Sequence, residues 1–337
     1  RDLYDLWAAL ADLDVDAGFA QFLGSLDRIG HADAPGHDGG VIALLALLSL
    51  DSLYSWTSPE ALANPIIAGK RPWLNVPFFI ARVIACLLLW GLAWWILVRG
   101  SIKQDKTRDA RFNLRARRFA PLFMIIFGIT ITIVAFDWIS SMEPEWYSDI
   151  FGVYIFAGTF LAGLAATTLA LLYLQSRGRL KDITRDHMYN LGGFLFAFTV
   201  FWSYIGFAQY MLMWYANIPE EVFWYQERIE GAWGPILLGL AVFHFLVPFF
   251  LLIPRDAKRD PRFLFWTAAI MLFSHWLDLY WMIFPVLDLG PLFGLPEISF
   301  SILFVSAALL WIRFSMTRGA DMPAGDPLLS EGLEFRL

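Results

Sequence analysis

Apolar residues in this chain fall in runs long enough to cross a lipid bilayer. A helix needs roughly 20 apolar residues to span about 30 Å of hydrocarbon, and eight stretches approach that length. These stretches predict an all-α integral membrane protein with about eight spans, at residues 41–56, 76–99, 119–141, 148–175, 189–215, 232–253, 263–284 and 297–317. The first stretch is the shortest.

The same pattern divides the 337-residue chain into three parts. Residues 1–40 contain eight Asp and two Arg, with Gly and Pro toward the end, so they predict an acidic cytoplasmic segment that does not cross the membrane. Residues 41–318 form the predicted transmembrane bundle. Residues 319–337 form a predicted cytoplasmic tail.

Lys and Arg concentrate in alternate connections between the stretches. Eight of the 25 lie in residues 99–118, and four each lie in residues 177–185 and 255–262. The intervening connections are acidic. Because cytoplasmic loops are enriched in Lys and Arg, the alternation predicts that the basic connections and the C-terminus face the cytoplasm.

Prolines mark several predicted helix boundaries. Pro77, Pro121 and Pro235 are placed in first turns, where a missing N–H costs nothing. Pro248 falls inside the sixth stretch, where it removes the hydrogen bond that the carbonyl of His244 would accept.

Composition narrows the function classes. With 58% hydrophobic and 17% charged residues and a mean hydropathy of +0.56, the chain is too apolar for a soluble protein of this size. A net charge of -6 argues against a nucleic-acid partner. The single cysteine, Cys86, excludes an internal disulfide and a cysteine-based metal site, so any redox centre in this chain would need histidine ligands.

Ionisable side chains inside membrane spans are costly and therefore mark candidate sites. We predict a proton path in which Asp137 and Asp278 carry the proton, His275 assists and Arg82 balances the charge. No catalytic or metal-binding residue is predicted. The full set of candidates is Asp51, Arg82, Asp137, His244, His275 and Asp278, with Tyr204 and Tyr210 as polar groups along a hydrated route.

Three other interpretations remain open. In the first, Arg82 neutralises one or more acids and ties helices together, which makes the protein a pure scaffold. In the second, His244 and His275, on adjacent spans near the midplane, hold a b-type haem, or the aromatic residues line a quinone cleft. In the third, the polar groups and Pro248 line the cavity of a secondary transporter.

Particular strings resemble a known family. DWISSMEPEWYSDIFGVYIFAG (137–158) and HMYNLGGFLFAFTVFWSYIGFAQYMLMWYANIPEE (187–221) are similar to the F subunits of bacterial alternative complex III, a quinol:cytochrome c oxidoreductase. LNVPFF (74–79) and the segment 51–56 look like those subunits too. They belong to the NrfD-like, polysulfide-reductase membrane-anchor family.

The resemblance implies a cofactor-free subunit of the bacterial inner membrane, in a respiratory or photosynthetic electron-transfer chain. Its expected role is support of the complex and proton translocation. Its expected partners are a related NrfD-like membrane subunit, an iron–sulfur subunit, c-type haem subunits, a terminal oxidase and lipids. Quinol, iron–sulfur clusters and c-type haems are expected in those other subunits.

The sequence departs from the family in its number of spans. Members often have ten, and only eight stretches are found here. Because residues 1–40 do not resemble the missing pair and the first residue is Arg1, we expect further N-terminal helices outside the given sequence.

Overall fold

The computed structural model describes residues 50–287 and, with gaps, residues 290–334. Residues 54–337 group as one compact unit. Within the described residues all regular structure is helical and no strand occurs, which confirms the all-α prediction. The predicted segment 1–40 lies outside the described residues.

The helices are numbered in chain order. They are α1 Leu50–Leu53, α2 Pro65–Lys70, α3 Val76–Thr107, α4 Arg111–Val134, α5 Phe151–Ser176, α6 Arg185–Ala216, α7 Pro219–Ile229, α8 Gly234–Leu240, α9 Val247–Leu252, α10 Pro261–Ile283 and α11 Leu329–Glu334. Two π-helical segments occur in the described part of the chain: π1 (Ala135–Ile139) follows α4, and π2 (Ala241–Leu246) joins α8 to α9. Short 3-10 turns lie at Ser55–Thr57, Glu60–Ala63, Ser140–Met142, Gly231–Trp233, Ala257–Arg259 and Phe284–Leu287.

Six helices in the described residues are long and apolar enough to cross a membrane. They are Val76–Thr107, Arg111–Met142, Phe151–Ser176, Arg185–Ala216, Gly231–Leu252 and Pro261–Leu287. These match the second to seventh predicted stretches. Most of the first stretch lies outside the described residues, as does the end of the eighth, whose described positions up to 310 are helical.

The helices extend beyond the apolar stretches at their basic ends. Helix α3 continues to Thr107 and α4 begins at Arg111, so the predicted connection is largely helical. Pro121 consequently lies inside α4, and its predicted place in a first turn is wrong. Hydropathy reports only the part in lipid, whereas Lys and Arg are good helix formers that prolong a helix into water. Arg108, with a φ of 53°, ends α3.

The other two prolines are placed as predicted. Pro77 stands in the first turn of α3, after Asn75, whose side chain accepts the hydrogen bond of the Phe78 N–H. Pro235 stands in the first turn of α8. Capping side chains and N-terminal prolines therefore fix where these helices begin.

Helix α5 is the centre of the bundle. It packs most extensively against α6 and α10, and the run α8–π2–α9 completes a four-helix bundle with them. Fully buried apolar side chains fill the interior, among them Leu161, Leu195, Leu264 and Met271. Because α5 has neighbours on most sides, its sequence is apolar all round rather than amphipathic. The α3–α4 pair packs beside this bundle through α4.

The tail after the last predicted span returns to the α3–α4 connection. The Gly325 N–H donates to Asp105 Oδ1 at 2.8 Å, and Gln104 Nε2 donates to the Gly325 carbonyl at 3.2 Å. Asn113 Nδ2 donates to Asp326 Oδ1 at 2.9 Å. These contacts anchor the described part of the tail.

Candidate functional site

Arg82 and Asp137 form a buried ion pair between α3 and π1. Arg82 Nε lies 2.6 Å from Asp137 Oδ2, and Arg82 Nη2 donates to Oδ1 at 2.9 Å. Trp73 Nε1 also donates to Oδ1, at 2.9 Å, and the Trp73 carbonyl accepts from Arg82 Nη1. The guanidinium lies over the rings of Trp73 and Phe78, 4.2 and 4.3 Å from their centroids. Arg82 thus balances the charge of Asp137, and the hydrogen bonds from Arg82 and Trp73 hold its carboxylate in place.

Asp278 occupies a second, separate polar site in the four-helix bundle. Its side chain is 1% exposed. Tyr154 on α5 donates to Oδ1 at 2.6 Å, and Trp202 on α6 donates to Oδ2 at 3.2 Å. Among the described residues no Lys, Arg or His nitrogen lies within 4.0 Å of this carboxylate. Both donors are neutral, so an ionised Asp278 would receive two hydrogen bonds but would have no cation to balance its charge.

Trp202 lies between Asp278 and two histidines, of which His244 is fully buried and His275 is partly buried. Its ring stacks on His244, with centroids 3.9 Å apart. The ring centroids of His244 and His275 are 6.2 Å apart. Both ring nitrogens of His244 and Nδ1 of His275 are buried without a hydrogen-bond partner among the described protein atoms, as is the Ser274 hydroxyl. Buried polar groups normally bond to protein or ordered water, so four unpaired polar atoms on three neighbouring side chains are unusual for a bundle core.

The backbone is irregular at two of these ionisable residues. Asp137 lies on π1 and His244 lies on π2. In π2 the hydrogen-bond ladder shifts by one residue just before Pro248, which has no N–H to donate. Single π turns of this kind are frequent at functional sites.

Two glycines let the helices approach at this site. A Cβ on Gly158 of α5 would lie 3.0 Å from Cε1 of His275, and one on Gly206 of α6 would lie 2.9 Å from Cε2 of Tyr154. Any larger residue would move His275 or Tyr154. Small residues therefore set the distance between α5 and its neighbours.

Another set of hydrogen-bonded side chains lies at the acidic end, by which we mean connections 143–150 and 217–230. Ser148 Oγ donates to Gln209 Oε1 at 3.3 Å, and Gln209 Nε2 donates to the Tyr225 hydroxyl at 3.1 Å. Burial raises the pKa of Tyr225, and the nearby Asp278 carboxylate raises it further.

A second buried ion pair closes the acidic end. Arg228 is fully buried, and its Nη2 lies 2.6 Å from Glu143 Oε2. The same Nη2 donates to the Met282 carbonyl of α10, and Nη1 donates to the Trp224 carbonyl. Burial raises the pKa of Glu143 to about 7, although the Arg228 guanidinium acts in the opposite direction.

The remaining predicted residues lie outside these contacts. Tyr204 is 64% exposed, on the outer surface of α6. Tyr210 is half-buried and packs on Trp214 and Tyr225, with centroids 5.7 and 5.2 Å apart. Asp51 lies in α1, and its side chain is outside the described part of the structure. The structure thus groups Arg82 with Asp137, and Asp278 with the two histidines.

The side chains of these sites that sequence reasoning missed include Tyr154, Trp202, Glu143 and Arg228. Tyr154 and Trp202 lie within apolar stretches, where nothing in the sequence distinguishes them from interface aromatics. Arg228 did carry a signal, since it is the one basic residue in the acidic run 220–230.

These features define an all-helical, multi-pass membrane protein with charged groups buried in its interior. No family model matches the chain, and no curated protein matches it.

Proposed function

We propose that this chain is a membrane subunit of a quinol:cytochrome c oxidoreductase of the alternative complex III type, and that its bundle conducts protons. The resemblance of residues 137–158 and 187–221 supports the family assignment. The observation that carries the proton path is the buried Asp278 carboxylate, which has no cation within 4.0 Å among the described residues. It lies in the same bundle core as His244 and His275, whose unpaired ring nitrogens could accept and donate a proton.

Asp278 is the proton-carrying acid of this proposal. An unbalanced buried carboxylate is costly, and taking up a proton removes its charge. The neutral donors Tyr154 and Trp202 keep the carboxyl in place in either state. Asp137 differs because Arg82 already balances its charge, so we assign that pair to holding α3 against α4.

Helix α10 carries successive polar groups of the proposed path. His275, Asp278 and the Met282 carbonyl follow one another over seven residues, or about 10 Å of helix. Arg228 binds the Met282 carbonyl, and Glu143 binds Arg228. Glu143, with a pKa of about 7, is suited to exchange protons with water at the acidic end.

Proton release tests the mechanism. Complexes carrying Asp278→Asn should oxidise quinol but release fewer protons per quinol than the unmodified complex, when both are reconstituted in liposomes with a pH-sensitive dye. Arg82→Gln/Asp137→Asn serves as the control and should keep full proton release. Full release by the Asp278→Asn complex would show that Asp278 carries no proton.

Copurification tests the family assignment. The tagged chain, purified in mild detergent, should bring c-type haem and iron–sulfur subunits with it. After these partners are removed the chain should show no reduced-minus-oxidised absorption change. A b-type haem signal retained by the isolated chain would replace this proposal with the cytochrome alternative, with His244 and His275 as ligands.

A scaffold role is the second candidate, and the Arg82–Asp137 pair favours it. Its two-point geometry holds the charges in one arrangement and binds α3 to π1. Infrared difference spectra separate the candidates: a scaffold shows no carboxyl change between oxidised and reduced complex, whereas a proton path shows one that Asp278→Asn abolishes.

A further inference from the structure

Three cations surround one tyrosine ring at the basic end of the bundle, where α6 begins and α9 ends. The Tyr189 ring centroid lies 5.7 Å from Arg255 Cζ, 5.7 Å from Lys258 Nζ and 5.3 Å from Arg259 Cζ. We call these four residues the basic cluster. Tyr189 is on α6, and the cations are on the connection between α9 and α10, so the cluster bridges two neighbouring helices.

Backbone packing holds the basic cluster in place. The turn Ala257–Arg259 packs against α6. The Lys258 stem lies on Gly192 so closely that a Cβ there would be 3.0 Å from Lys258 Cβ. The cations are therefore presented at a fixed place at the end of the spans.

The two connections around the basic cluster contain more basic than acidic residues. Connections 177–187 and 255–262 together contain eight Lys or Arg and four Asp. Arg259 pairs with Asp186 at 2.9 Å. In the described part of the chain no carboxylate lies within 4.0 Å of the Arg255 or Lys258 cation. Both cations, which lie on the same tyrosine ring, would attract an anion bound beside them.

An apolar surface begins directly beside the cations. Lys258 Nζ lies 4.9 Å from the Phe196 ring centroid, and Phe196 stacks on Phe249 at 5.3 Å. Phe249 contacts Phe250, which is 65% exposed, and Ile253 is also exposed. The cations thus lie next to an exposed apolar surface, which is the arrangement that binds an amphipathic lipid.

We propose that the basic cluster binds the phosphate headgroup of an anionic phospholipid, whose acyl chains lie along Phe249 and Phe250. Basic pockets between transmembrane helices recognise such headgroups. A lipid fits better than a free anion because the cations stand at the top of an exposed aromatic surface. The site is about 30 Å of span away from the acidic end, so it is independent of the proposed proton path.

Native mass spectrometry of the full chain tests this proposal. The detergent-solubilised protein is titrated with phosphatidylglycerol or phosphatidylcholine, and the bound lipids are counted. Arg255→Gln/Lys258→Gln should lower the affinity for phosphatidylglycerol about fivefold per removed cation, or roughly 25-fold in all. Lys103→Gln/Lys106→Gln, which removes the same charge from exposed positions of α3, should change it less than threefold. Both variants should keep the wild-type circular dichroism spectrum.

Three outcomes would overturn the proposal. One is an equal loss of phosphatidylglycerol in the two double variants, which would indicate a general charge effect. Another is equal affinity for phosphatidylcholine in the unmodified protein. The third is displacement of phosphatidylglycerol by a tenfold excess of inorganic phosphate, which would indicate a site for free anions. In addition, Phe250→Ser should weaken lipid binding, because the acyl chains lose contact area, and an unchanged affinity would contradict the acyl-chain placement.

Discussion

Arg82 and Asp137 meet inside the protein through two hydrogen bonds, of 2.6 Å from Nε and 2.9 Å from Nη2. They are 55 positions apart in the sequence, one on α3 and the other on π1. By contrast, Asp278 receives hydrogen bonds from neutral Tyr154 and Trp202. Two buried aspartates of one chain thus have different electrostatic environments, and this difference suits them to different roles.

Removing one partner of the Arg82–Asp137 pair should destabilise the protein strongly. Arg82→Gln leaves a buried carboxylate without a cation, and we expect a loss of about 3 to 5 kcal/mol. The double variant Arg82→Gln/Asp137→Asn should lose less than Arg82→Gln alone, because no unpaired charge remains. Thermal unfolding in detergent measures both, and a double variant less stable than Arg82→Gln would show that the buried charge of Asp137 does not need Arg82.

Trp202→Phe should separate the two contacts of this side chain. Phenylalanine keeps an aromatic ring against His244 but cannot donate to Asp278 Oδ2, so we expect a loss of about 1 to 3 kcal/mol. The infrared carboxyl band of Asp278 should shift, because it loses one of two donors. Trp214→Phe, at a position 59% exposed, is the matched control. A similar spectrum for Trp202→Phe and wild type would contradict the hydrogen bond.

The Glu143–Arg228 pair predicts a pH dependence of stability. Glu143 has a pKa of about 7 in the folded protein against its usual 4.5, so the folded state binds more protons than the unfolded state between these values. The free energy of unfolding should therefore decrease as pH rises through this window, by up to about 1.4 kcal/mol per pH unit. Above pH 7 the decrease should stop.

Glu143→Gln is the control for this pH effect. Glutamine cannot titrate, so the melting temperature of this variant should change less between pH 5 and pH 7 than that of the unmodified protein. Glu220→Gln, at an exposed acid of the same end, should retain the wild-type slope. If Glu143→Gln also retains that slope, another group causes the pH dependence.

The tail contacts predict another membrane crossing after α10. Gly325 and Asp326 bind residues of the α3–α4 connection, while alternating spans place the end of α10 on the opposite side. Cysteines introduced at Gly290 and Asp326, each in a Cys86→Ala background, should therefore react with a membrane-impermeant maleimide from opposite sides. Labelling of both from one side would contradict a span between them.

The sequence by itself determined the membrane class, the positions of the apolar spans and several helix starting points. The length of an apolar run is a local property, because each segment must by itself be long enough to cross the hydrocarbon layer. Helix caps are local too, since Asn75 and Pro77 act within one helical turn. The separation of three residues between His275 and Asp278 likewise placed both on one face of a helix. Even the burial of charged groups could be foreseen, since Asp137 and Asp278 stand in apolar runs.

Only the tertiary structure decided which group each buried charge contacts. Asp137 received Arg82 and Asp278 did not, although both acids look alike in the sequence. Tyr154 and Trp202 became carboxylate ligands because α5 and α6 present them to α10, a relationship over 124 and 76 residues of chain. Hydropathy depends on the neighbours of a residue along the chain, whereas the energy of a buried charge depends on its neighbours in space.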